Sequence, residues 1–147
     1  MTLRLPRQED KVLSAVMVKA GDPVVISYRH SVEGTNVEGW FAVGAGPKLL
    51  AVRTRMDSAG TGLPNVAPGR SQRQGPWREV DEGRREMDSL RFFISPLNRP
   101  KLAVAGQGIP LNELPAGTLI SLAAERMPWG RYLWWRAGGR SWPRPEE

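Results

Sequence analysis

The chain of 147 residues has no cysteine and a single histidine, His30. Without thiols there is no disulfide, no thiolate nucleophile and no cysteine-ligated metal. Apolar runs are short too. None approaches the roughly 20 residues that cross a bilayer as a helix, and the opening MTLRLPRQEDKVL lacks the apolar centre of a secretory signal. As written the chain is expected to be soluble, and the missing cysteines leave its compartment open. A G-x-S-x-G nucleophile turn is absent, as are the lysine and following Ser/Thr of a phosphate-binding loop.

What is plentiful is punctuation. Sixteen glycines and 13 prolines oppose long helices, and between their clusters recur short segments rich in Val, Leu, Ile and Phe. This pattern predicts an all-β fold, an antiparallel β-sandwich or barrel-like sheet with little helix, in a single domain over 1–125. Strands are expected near 12–18, 24–30, 37–43, 48–55, 90–95, 101–105 and 118–124, with 131–136 as a final strand. Turns fall at GDP (21–23), EGTN (33–36) and GAGP (44–47). The stretch 57–83 is too rich in Gly, Pro and polar residues to read as sheet, so a long loop is expected there, disordered around Arg70–Gln74. The one helical candidate, EGRREMDSL (82–90), is short.

His30 stands in YRHSVEGTNVEGW (28–40). Strand alternation puts Val24, Ile26, Tyr28 and His30 on one face and Val25, Ser27, Arg29 and Ser31 on the other. The imidazole then ends an apolar stripe, the position of a histidine that bonds backbone carbonyls and packs under the core. Ser31, pointing the opposite way, is poorly placed as its nucleophile. Glu33 and Glu38 flank the turn and could meet across the hairpin end as an acid–base pair. With Asn36 they could instead hold a hard cation, or one could pair with Arg29. GTGLPN (60–65) could offer backbone N–H groups to an anion. Trp77 reads as a core residue rather than a ligand platform.

HSVEGTNVEGWF followed by RTRMDSAGTGLPN resembles the bacterial family called domain of unknown function 1850, and the similarity extends over about residues 10–106. The resemblance implies that His30, Ser31, Glu33, Thr35 and Glu38, with Ser58, Gly60, Gly62 and Leu63, occupy the family's motif positions. Gly34 and Gly39 stand where lysine and glutamate are more usual. It also implies a small periplasmic or otherwise extracytoplasmic protein encoded beside tripartite transporters of the TAXI class, with no activity assigned. If the histidine hairpin and the glycine loop lie side by side, His30, Glu33 and Glu38 would bond the loop amides and fix a binding edge.

Net charge is +6, and residues 126–147 supply half of it, with Arg126, Arg131, Arg136, Arg140 and Arg144 against Glu146 and Glu147. Four of the six tryptophans, among them Trp129, Trp134 and Trp135, are interleaved with these arginines. As a strand, RYLWWR would set Tyr132 and Trp134 on one face, Leu133 and Trp135 on the other. As an interaction element, Trp129, Arg131, Trp134, Trp135 and Arg136 would contact a membrane surface or a partner protein. Aromatic stacking beside arginine also suits single-stranded nucleic acid, but nothing outside the tail supports that use. The expectation is therefore a monomeric, non-enzymatic accessory or binding module linked to a solute transporter, without cofactor or metal. The alternatives are a hydrolase or metal-assisted enzyme built on His30, Glu33 and Glu38, and a single-strand binder acting through the tail.

Overall fold

The computed structural model of the chain describes residues 1–8, 11–30, 34–57, 71–74 and 77–138. Their strands are β1 (Thr2–Leu5), β2 (Lys11–Ala15), β3 (Pro23–Arg29), β4 (Asn36–Val43), β5 (Leu49–Asp57), β6 (Ser71–Gln74), β7 (Trp77–Met87), β8 (Leu90–Phe93), β9 (Lys101–Val104), β10 (Gln107–Ile109) and β11 (Leu119–Ala123), followed by one helix, α1 (Trp129–Arg136). They form a four-stranded sheet in the order β2-β1-β11-β8 and a seven-stranded sheet in the order β10-β9-β3-β4-β5-β7-β6. Every pairing is antiparallel. The all-β sandwich expected from the residue pattern is the fold observed.

One apolar cluster joins the sheets. Leu3, Leu5, Ile120 and Leu122 of the smaller sheet pack with Val24, Ile26, Val43, Leu49, Leu102 and Val104 of the larger. Alternation decides this locally: Val24 and Ile26 are buried while Val25 and Ser27 between and beyond them are half-exposed. Gly39 belongs to the same inward row. A Cβ there would come within 2.9 Å of the Phe41 ring and 3.2 Å of Ile26, so the ring fills the space a side chain would need.

The centre of the smaller sheet is covered on its other face as well. Thr2, Arg4 and Ser121, on the side away from the leucines, are buried. Arg4, 2% exposed, is held by Glu125 through two hydrogen bonds, Nε to Oε1 at 2.9 Å and Nη2 to Oε2 at 2.8 Å. This bidentate geometry satisfies a guanidinium whose burial would otherwise be costly. Burial alone would raise the Glu125 carboxyl. The hydrogen bonds and positive charge of Arg4 outweigh it and hold the group below the ordinary carboxylate range.

Several local expectations are overturned. The stretch 57–83 is not one long loop: β6 covers Ser71–Gln74, where disorder was expected, and β7 begins at Trp77. The helical candidate 82–90 is instead the second half of β7, the bend at 88–89 and the first residue of β8. Gly83 and Arg84 there have φ of 64° and 55°, and the register with β5 jumps between the pairs Arg53↔Asp81 and Ala51↔Arg85. The extra residues form a bulge whose glycine accepts the left-handed backbone, so neither strand nor helix periodicity survives in the sequence. β1 and β10 were not foreseen. β10 follows from a two-residue turn, Ala105–Gly106, with both φ positive, which joins it to β9.

The final strand expected at 131–136 is a helix. Pro128 starts it: its carbonyl accepts from the amides of Arg131 at 3.0 Å and Tyr132 at 3.2 Å, and proline ahead of a first turn sacrifices no hydrogen bond. Gly138, with φ of 106°, follows its last turn. These end signals prevail over the strand preference of Tyr and Trp.

Candidate binding groove and the histidine hairpin

The β3–β4 hairpin closes over residues 30–35. The His30 amide donates to the Thr35 carbonyl at 2.7 Å, and the Gly34 amide donates to the His30 carbonyl at 2.9 Å. Gly34 has φ of 66°, a conformation that suits glycine, and its carbonyl accepts from Arg29 Nε at 3.1 Å. His30 itself is exposed, so it does not pack under the core. The strand ends at Arg29, one residue before the apolar stripe would have reached the imidazole.

Asn36, just past the hairpin, meets the end of β5. Asp57 accepts from the Asn36 backbone amide at 2.9 Å and from its side-chain amide at 2.7 Å. The His30 hairpin and the departure point of the glycine loop therefore lie at one end of the larger sheet. Of the expected site residues, Ser31, Glu33, Ser58, Gly60, Gly62 and Leu63 lie outside the described residues, and so does any contact between the two motifs. Glu38 faces Arg55 at 3.9 Å rather than Arg29. Among the described residues no group of three or more His, Asp or Glu could hold a metal ion.

Glu38 belongs to a charged ladder on the outer face of the larger sheet. Register places Glu38 opposite Arg55 and Arg55 opposite Glu79, with Trp40 opposite Arg53 one row along. Arg53 lies over the Trp40 ring at 4.4 Å and 3.7 Å from Glu79; Arg55 lies over the Trp77 ring at 5.1 Å and 3.6 Å from Glu79. Cross-strand pairs of this kind align and stiffen a sheet face. Trp77 is thus half-exposed beneath an arginine, not part of the core.

Where this ladder meets the hairpin there is an open groove of about 520 Å³. Ser27, Tyr28 and Arg29 of β3, Asn36 and Glu38 of β4, and Trp77 of β7 form its floor and one wall. The β8–β9 connection supplies the other wall with Leu97, Asn98 and Arg99, and the start of β9 adds Lys101. That connection is anchored: Arg29 N–H donates to the Asn98 carbonyl at 2.8 Å, and the amides of Asn98 and Arg99 both donate to the Ser95 carbonyl at 3.1 Å. Arg99 sits at φ of 41°. Asn98 Oδ1 is buried with no hydrogen-bond partner among the described residues.

The groove thus brings together Arg29, Arg99, Lys101 and an indole, while its acid Glu38 is engaged by Arg55. Sequence reading missed Arg99, Lys101 and the role of Trp77. The alternation of WREVDE, with Trp77, Glu79 and Asp81 on one face, and the cations of NRPK are the signals that could have found them.

The model of a family described as Domain of unknown function (DUF1850) matches residues 24–111, a span that includes the hairpin and the groove-lining residues. No curated protein and no solved structure matches the chain.

Proposed function

Since the chain belongs to the DUF1850 family of unknown function, we propose from the groove itself that this is a non-enzymatic binding module that holds a small anionic solute. The observation that carries this reading is the charge of the groove: Arg29, Arg99 and Lys101 line it, and Glu38 is already paired with Arg55. Fixed cations beside an aromatic wall suit a carboxylate with some apolar body. A binding role beside a solute transporter, outside the cytoplasmic membrane, is the setting in which such a module has a use, and it is proposed on the family resemblance.

The enzyme reading draws less support. His30 is exposed, and among the described residues its ring makes no hydrogen bond to a nucleophile or an orienting carboxylate. Titration of succinate, malate and uncharged glycerol, followed by NMR at the Trp77 indole N–H and the amides of Leu97, Asn98, Arg99 and Lys101, tests the proposal. Saturable shifts with the acids and none with glycerol are expected. An Arg99→Ala, Lys101→Ala double variant should weaken binding by roughly tenfold or more. Shifts that survive the double variant unchanged, or none with any anion tried, would remove the groove from consideration.

A further inference from the structure

We infer that α1 is a peripheral docking element that lays the protein against an anionic phospholipid surface. Trp129, Leu133 and Trp134 are 68%, 57% and 53% exposed, three of the four large apolar side chains more than half exposed among the described residues. At roughly 100° per residue they fall within about 140° of arc on α1, with Arg131 and Arg136 at its two flanks. Tyr132 turns away from this stripe and lines a cavity of about 260 Å³ with Met1, Val16, Val18 and Met127. The helix is therefore set against the body on one side and presents indoles and a leucine on the other.

Charge identifies the occupant. Residues 126–138 contain Arg126, Arg131 and Arg136 and no carboxylate. Indoles favour the headgroup boundary, and arginine stems extend alongside them while the guanidinium heads reach phosphate. Eight residues are too few to cross a bilayer, and no helix among the described residues is long and apolar enough to do so, which leaves a helix lying on the surface. Single-stranded nucleic acid fits less well. Leu133 has no stacking use between the two indoles, and the Trp129 ring already meets Tyr132 edge to face at 6.3 Å and 88°.

The full chain is mixed with phosphatidylcholine vesicles, with and without phosphatidylglycerol, and partitioning is read by co-sedimentation and by the tryptophan emission maximum. Affinity is expected to rise by roughly tenfold or more with the anionic lipid, with a blue shift. A Trp129→Ala, Leu133→Ser, Trp134→Ala variant should lose partitioning by roughly tenfold. These side chains lie outside the core, so its β-sheet circular dichroism and unfolding midpoint should match the parent. An Arg126→Glu, Arg136→Glu variant should lose the preference for phosphatidylglycerol alone. Equal binding by the triple variant, or no partitioning of the parent, would overturn the assignment. So would tighter binding to oligodeoxythymidine that depends on the same indoles, which would assign the stripe to nucleic acid.

Discussion

The central strands β1 and β11 of the four-stranded sheet are buried on both faces, whereas the seven-stranded sheet buries residues mainly on one face. All four residues of β1 are buried, including Thr2 and Arg4, and β11 buries Ile120, Ser121 and Leu122 in succession. β7, by contrast, exposes most of its second half and packs mainly on its neighbour β5. The smaller sheet thus carries more stability per residue. The outer face of the larger sheet carries charge, aromatic rings and the groove, which a sealed sheet could not present to a solute.

Core truncation separates the sheets most sharply. Leu122→Ala should cost about 3–5 kcal/mol in denaturant unfolding, whereas Val80→Ala on half-exposed β7 should cost about 1 kcal/mol or less. The ion pairs should divide the same way. Glu125→Gln strands the buried Arg4 and should cost about 3 kcal/mol, while Glu79→Gln in the outer ladder should change stability by less than about 1 kcal/mol.

Acid sharpens the contrast. The folded Glu125 carboxyl is held below its ordinary value, so its contribution is complete above the unfolded value of about 4.3 and disappears as pH falls through the lower folded one. The stability gap between the parent and Glu125→Gln should therefore close on acidification, measured by unfolding midpoint against pH. The smallest effect belongs to the edge hairpin: Ala105→Gly relieves a φ of 49° and should stabilise by about 0.5–1 kcal/mol, where a strained interior position would have responded more.

Much of the fold was legible because strand alternation is local. Val24 and Ile26 face inward as their spacing demands, and the hairpin turn falls where EGTN stands. Legibility failed where a distant partner supplies the reason. TLRL looks like a charged beginning until β11 lies beside it and Glu125 meets Arg4. Around Gly83 the bulge erased the period, and at 129–136 the strand-forming residues drew attention away from Pro128 and Gly138. Of the expected binding edge, the structure brings His30 and Asn36 to one end of the sheet beside Asp57, yet two of the groove's cations, Arg99 and Lys101, come from the β8–β9 connection and the start of β9, far along the chain.

By itself the sequence determined the sheet class, the inward rows of β3 and the basic, tryptophan-rich character of the C-terminal segment, because each depends on residues a few positions apart. Only the tertiary structure decided that Arg29, Trp77 and Arg99 share a groove and that Arg4 is buried. Those outcomes depend on which strands pair and in what register, and that is settled by the free energy of closing the whole core rather than by any one segment.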